Sequence, residues 1–101
     1  MNKTVVVSAR RWFDKANGNT YHSVKVYYDG NIVNKDLGDA TEIHYGYGSA
    51  WEQTVKDLLV RHGIYEDSTW MLRRMIEEEN NDILIWDCVD VQKKKDLKFY
   101  Y

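Results

Sequence analysis

Cys88 and the three histidines His22, His44 and His62 are the only residues able to supply nucleophilic or soft-metal chemistry, and their spacing does not support it. No His-x-x-x-His, Cys-x-x-Cys or paired His–Cys pattern occurs, so no metal site or activated thiol is expected. Cys88 sits in Ile85-Trp86-Asp87-Cys88-Val89-Asp90, where a small, inert core thiol is expected. Carboxylates are dense at Glu77, Glu78, Glu79, Asp82, Asp87 and Asp90. Acid–base work would need a cleft that drives two of their pKa values apart. Three glutamates closing a helix read first as a solvated face, and second as a negative surface for a basic partner. Tyr45-Gly46-Tyr47-Gly48-Ser49 precedes a helix and could hold an anion on unpaired N–H groups. It lacks the dinucleotide and P-loop patterns, so its glycines read mainly as turn residues for Tyr45 and Tyr47. Arg10, Arg11, Trp12, Phe13 and Lys15, with Tyr21 and His22 across the hairpin, mix cations with rings, the combination that holds single-stranded nucleic acid. A packing role for Trp12 and Phe13 stands beside that reading. No catalytic constellation emerges, no cofactor is implied, and the expectation is a protein that is not an enzyme.

Hydrophobic periodicity supplies the elements that must position these residues. Val5, Val7 and Ala9 share one face of a run from Thr4 to Phe13, and Val24, Val26 and Tyr28 share one face of a second. Asn17-Gly18 and Asp29-Gly30 provide hairpin turns, and Ile32-Val33 continues into a third strand. Residues 36–48 read as irregular, with Glu42 to Tyr45 as a short strand. Ser49 and Glu52 have the spacing of a capping box, followed by Trp51, Val55, Leu58, Leu59 and His62 as one apolar stripe, with Gly63 as the stop. A second helix is expected from Ser68, capped by Asp67 or Ser68, with Met71, Leu72, Met75 and Ile76 inward and Asn80-Asn81 at its end. Ile83 to Val91 is β-branched and apolar on both sides at first, which predicts a central strand. Lys93 to Asp96 reads as a turn and Leu97 to Tyr101 as a final strand. These elements predict an α+β fold: an antiparallel sheet, made of a three-stranded N-terminal meander plus C-terminal strands, with two helices packed on one face.

The 101 residues suit one domain, 1–101, and carry four Trp, eight Tyr and two Phe but no Pro. No apolar run approaches the roughly 20 residues of a membrane span, and neither a signal peptide nor a disulfide framework is indicated, so a cytoplasmic location is expected. Net charge is −2, unevenly spread: residues 1–35 hold six Lys/Arg against two Asp/Glu, residues 36–92 hold four against thirteen, and residues 93–101 hold four against one. The basic ends lying beside the acidic middle would neutralise this; a partner surface is the other reading. The acidic balance argues against a dedicated nucleic-acid binder.

Arg11-Trp12-Phe13-Asp14-Lys15, the run Gly18-Asn19-Thr20-Tyr21-His22-Ser23-Val24, and Tyr45-Gly46-Tyr47-Gly48 before a helix together resemble a family of small proteins encoded by tailed bacteriophages and prophages. The resemblance covers about residues 5–60 and does not extend to the segment from Ser68 onward. It implies a phage accessory protein in the host cytoplasm that binds a host or phage macromolecule, in host defence or host takeover. It carries no catalytic residues. Arg10, Arg11, Trp12, Lys15, Tyr45 and Tyr47 are the expected binding residues. A protein partner is favoured, because aromatics and arginine dominate protein hot spots. Nucleic acid is the alternative, and pairing of two copies through an edge strand stays open.

Overall fold

A computed structural model describes residues 2–33, 43–46 and 48–97. Tyr47, the irregular stretch from Asp36 to Asp39, and the final strand expected beyond Leu97 lie outside the described residues. The chain folds as expected of an α+β protein: a five-stranded, mostly antiparallel sheet with two helices on one face.

Strand β1 (Thr4–Asp14) pairs antiparallel with β2 (Asn19–Tyr28), from Val5 opposite Tyr28 to Asp14 opposite Asn19. The connecting turn is held by Asp14, whose carbonyl accepts from Gly18 N–H at 2.8 Å and whose carboxylate accepts from Ala16 N–H at 3.1 Å and Asn17 Nδ2 at 2.8 Å. Asp29 (φ 50°) and Gly30 (φ 85°) make the two-residue turn into β3 (Asn31–Ile32). Positive φ at both central positions matches the twist of the flanking strands. Strand β4 (His44–Tyr45) pairs with the opposite end of β2, at His22 and Tyr21.

Helix α1 (Ala50–Arg61) buries Trp51, Val55, Leu58 and Leu59 along the expected stripe. Its capping box does not form. Ser49 lies at φ −95°, ψ 19°, outside the extended conformation a side-chain cap requires, and only its carbonyl bonds forward, to Glu52 N–H at 2.9 Å. The helix stops as expected: Gly63 (φ 73°) gives its N–H to Val60 O, and Ile64 gives its own to Leu59 O. Helix α2 starts at Leu72, later than the cap residues suggested, running Leu72–Arg74 and continuing as a π-helical turn, Met75–Glu79. Asp67 accepts from Ser68 N–H, and Ser68 Oγ accepts from Trp70 N–H while donating to Glu79 Oε1. Asn80 Nδ2 closes the helix on Met75 O at 2.7 Å.

Strand β5 (Ile83–Val91) overturns two expectations. It runs parallel to β1, not antiparallel, and it lies at the edge of the order β3-β2-β1-β5, not at its centre. The helices carry the chain across one face of the sheet, the crossover that parallel pairing needs. Val5, Val7, Ala9, Val24 and Val26 meet Trp51, Val55, Leu58, Leu59, Leu72, Met75 and Ile76 in one buried cluster, with Leu84 and Cys88 of β5 packed at its margin. Trp86 leans on Trp51 with ring centroids 5.2 Å apart. At the strand's entrance Asp82 accepts from Lys3 N–H at 2.9 Å and from Tyr65 Oη at 2.6 Å, tying β5 to the start of β1.

Beyond β5, Lys94–Leu97 forms a single 3-10 turn where Leu97 was expected to begin a strand. The turn folds back over the face away from the helices. Leu97 is fully buried there, its carbonyl accepts from Ser23 Oγ, and Arg10 Nη1 donates to Asp96 O at 3.0 Å.

Candidate macromolecule-binding surfaces

Register determines which side chains share the face away from the helices. Trp12 lies opposite Tyr21 in β2, and Tyr21 opposite Tyr45 in β4, so three rings form one row across three strands. Trp12 and Tyr21 have centroids 6.0 Å apart at 23°, and Tyr45 meets Tyr21 edge-on at 5.7 Å. Trp12 and Tyr21 are half-buried, Tyr45 is 69% exposed, and its hydroxyl donates to Asn19 Oδ1 at 3.3 Å. The lysine-bearing turn lies beside this row: Lys94 is near enough to act on Asp14, whose carboxyl is held below its usual range chiefly by the Asn17 hydrogen bond.

Toward β5 the same face gains aliphatic side chains. Val6 pairs with Ile85, Thr4 with Ile83 and Arg10 with Val89. Ile83, Ile85 and Val89 are 45%, 55% and 51% exposed.

The expected binding residues therefore divide. Trp12 and Tyr45 come together through Tyr21. Arg10 holds the Lys94–Leu97 turn. Arg11 points to the helix side and is a brace, giving Nε to Asp90 Oδ1 at 2.9 Å, Nη2 to Asp90 Oδ2 at 3.3 Å and Nη1 to Gly48 O at 2.9 Å. This pair is also one place where the basic N-terminal segment neutralises the acidic middle. Lys15 is exposed in the hairpin turn, where it lines an open depression of about 440 Å³ with Arg11, Phe13, Thr20 and Asp90. Arg11 and Lys15 are thus on the other side of the sheet from Trp12, and the mixed cation–ring cluster read from the N-terminal run does not assemble as one site.

The glycine segment serves packing. Gly46 has φ 146°, and a Cβ there would stand 2.7 Å from Ala50 Cβ, so any side chain would collide with the start of α1. Its N–H bonds to Thr20 O at 2.9 Å, and its carbonyl faces His22 Nδ1 at 3.4 Å. His22 is buried, with Nε2 2.7 Å from Thr54 Oγ1 and its ring stacked on His44 at 5.4 Å. Burial pushes its pKa down, so the ring is neutral at pH 7. Burial likewise pushes the half-buried Cys88 thiol up, away from the thiolate that nucleophilic chemistry needs. Among the described residues no group of three or more His, Cys, Asp or Glu is placed to hold a metal ion, and no helix is long and apolar enough to cross a membrane.

The residues missed from sequence are Ile83, Ile85 and Val89. Their strand is apolar on both faces, a pattern that does not distinguish a buried centre from an exposed edge. Together the fold and its surfaces define an α+β domain whose mixed sheet is covered by helices on one face and left partly open on the other. Comparison with protein-family models, with curated proteins and with solved structures gave no match.

Proposed function

We propose that this chain is a non-enzymatic accessory protein of phage or prophage origin, acting in the host cytoplasm by binding a macromolecule of the host or the phage, with a protein as the favoured partner. The observation that carries the reading is the exposure of Ile83, Ile85 and Val89 on one side of the edge strand β5. A cluster of half-exposed aliphatics at a sheet edge is costly to leave in water and marks interaction surfaces. The non-enzymatic reading is supported by a raised Cys88 thiol and a buried His22 occupied by Thr54 and Gly46. One observation favours nucleic acid instead: the ring row Trp12–Tyr21–Tyr45 beside the Lys93–Lys95 run, since bases stack on such rings and phosphates meet such lysines.

Two measurements separate these readings. Retention of a protein from a host lysate by the native chain, lost on Ile85→Lys, is the result expected of a protein partner. Fluorescence polarisation with labelled single- and double-stranded DNA and RNA, at about 50 and 200 mM salt, tests the other. Binding that falls steeply with salt and disappears in Tyr45→Ala would transfer the function to nucleic acid.

A further inference from the structure

The open edge of β5 accepts one extended strand of a partner, and we infer that this strand is basic at its centre and aliphatic on either side. The inference rests on the protein-binding reading above and names the partner's chemistry. Among the described residues β1 is the only neighbour of β5, which leaves the strand's outer row of N–H and C=O groups for another chain. Such an edge pairs readily unless it is blunted. Over its nine residues β5 has no proline or lysine, and its open-face side chains run Ile83, Ile85, Asp87, Val89, Val91.

The position of Asp87 decides the occupant. It is the middle residue of β5, and it makes no ion pair among the described residues. Full antiparallel pairing of two copies through β5 would set Ile83 against Val91 and Asp87 against Asp87. Like charges directly opposed in a sheet are destabilising, and sliding the register to part them gives up backbone pairs and aliphatic contacts. A second copy of this chain is therefore disfavoured. A strand with a lysine or arginine beside Asp87 and aliphatics beside Ile85 and Val89 satisfies the same edge, its main chain supplying the hydrogen bonds and its alternate side chains the selectivity.

The test uses the full chain and a nine-residue probe peptide with lysine at the centre, valine at the other odd positions and threonine between, a pattern that reads the same in either strand direction. Controls carry glutamate at the centre, or N-methyl groups on alternate peptide bonds. Binding is followed by fluorescence anisotropy and by amide shifts and hydrogen exchange in β5. The lysine peptide is expected to bind about tenfold tighter than the glutamate peptide and to slow exchange along β5. The N-methylated peptide should not bind, and Asp87→Lys should reverse the order of the other two. Equal binding of the lysine and glutamate peptides, an order unchanged by Asp87→Lys, or sedimentation of the native chain as a dimer that protects β5 would each overturn the proposal. The two readings fail separately. A lysate partner retained equally by the native chain and by Asp87→Lys leaves protein binding standing and removes this edge from it, whereas loss of every partner removes both.

Discussion

Val5, Val7 and Ala9 alternate along β1 with Val6, Ser8 and Arg10, and the two sets meet very different surroundings. The first set is at most 1% exposed beneath α1 and α2, whereas Val6 is 37% exposed. The same contrast runs along β5, where Leu84 and Cys88 pack at the margin of the core while Ile83, Ile85 and Val89 stand in solvent. The helix-covered face holds the fold together. The other face carries the row of rings, the aliphatic edge and a single turn of chain that buries Leu97. The two sides of one sheet are thus unlike: one is closed by helices, the other stands partly in solvent.

Truncating one aliphatic residue on each side of the sheet separates the two faces. Leu59→Ala, in the covered core, is expected to cost about 3 kcal/mol in urea denaturation, as buried leucines do. Ile85→Ala should cost under about 1 kcal/mol, because more than half of that side chain is already hydrated. Equal losses would mean that the open face is part of the core. Gly46→Ala acts where the chain passes from the open face to α1. The Cβ collision and a φ that L residues rarely adopt should lower stability by about 2 kcal/mol in the same assay.

Acid provides a third test, confined to the covered side. His22 faces Thr54 of α1, the carbonyl of Gly46 and the ring of His44, and its folded pKa lies below the unfolded value near 6.5. Its contribution is therefore fully present above pH 6.5 and is lost as pH falls, because the unfolded chain takes up a proton that the folded one resists. The slope attributable to this group should not exceed about 1.4 kcal/mol per pH unit, and His22→Gln should flatten it in denaturation curves between pH 7 and 5. The smallest effect is expected at the row of rings: Tyr45→Ala should change the melting free energy by less than about 0.5 kcal/mol. A larger loss would place Tyr45 in the structural half of the comparison.

Local structure was legible from sequence wherever one residue type had one job. Asp29-Gly30 and Gly63 adopt the positive φ their positions require, and the spacing from Trp51 to Leu59 buries the stripe it describes. What escaped was non-local. Nothing within Ile83–Val91 says that, among the described residues, β1 is its one neighbour, and a strand apolar on both faces looks the same at a centre or an edge. The capping pattern at Ser49 and Glu52 failed because the backbone of Ser49, at φ −95° and ψ 19°, is not extended. The residues expected to bind divide for a simple geometrical reason: Arg11 and Trp12 are adjacent in a strand, and adjacent residues point to opposite faces.

The parallel pairing of β1 and β5 also bears on how the molecule is made. Arg11 and Asp90 are 79 residues apart in sequence, as are Lys3 and Asp82, so β1 meets one of its two neighbours only after Ile83–Val91 has been synthesised. On the ribosome the β1–β2 hairpin has all its residues early, but one edge of β1 waits for Ile83–Val91 to emerge. Closing so long a loop is slow, and an unpaired strand edge is what holdase chaperones and aggregation both act upon. The vulnerable period for this protein is therefore during its own translation, between the completion of α2 and the arrival of β5.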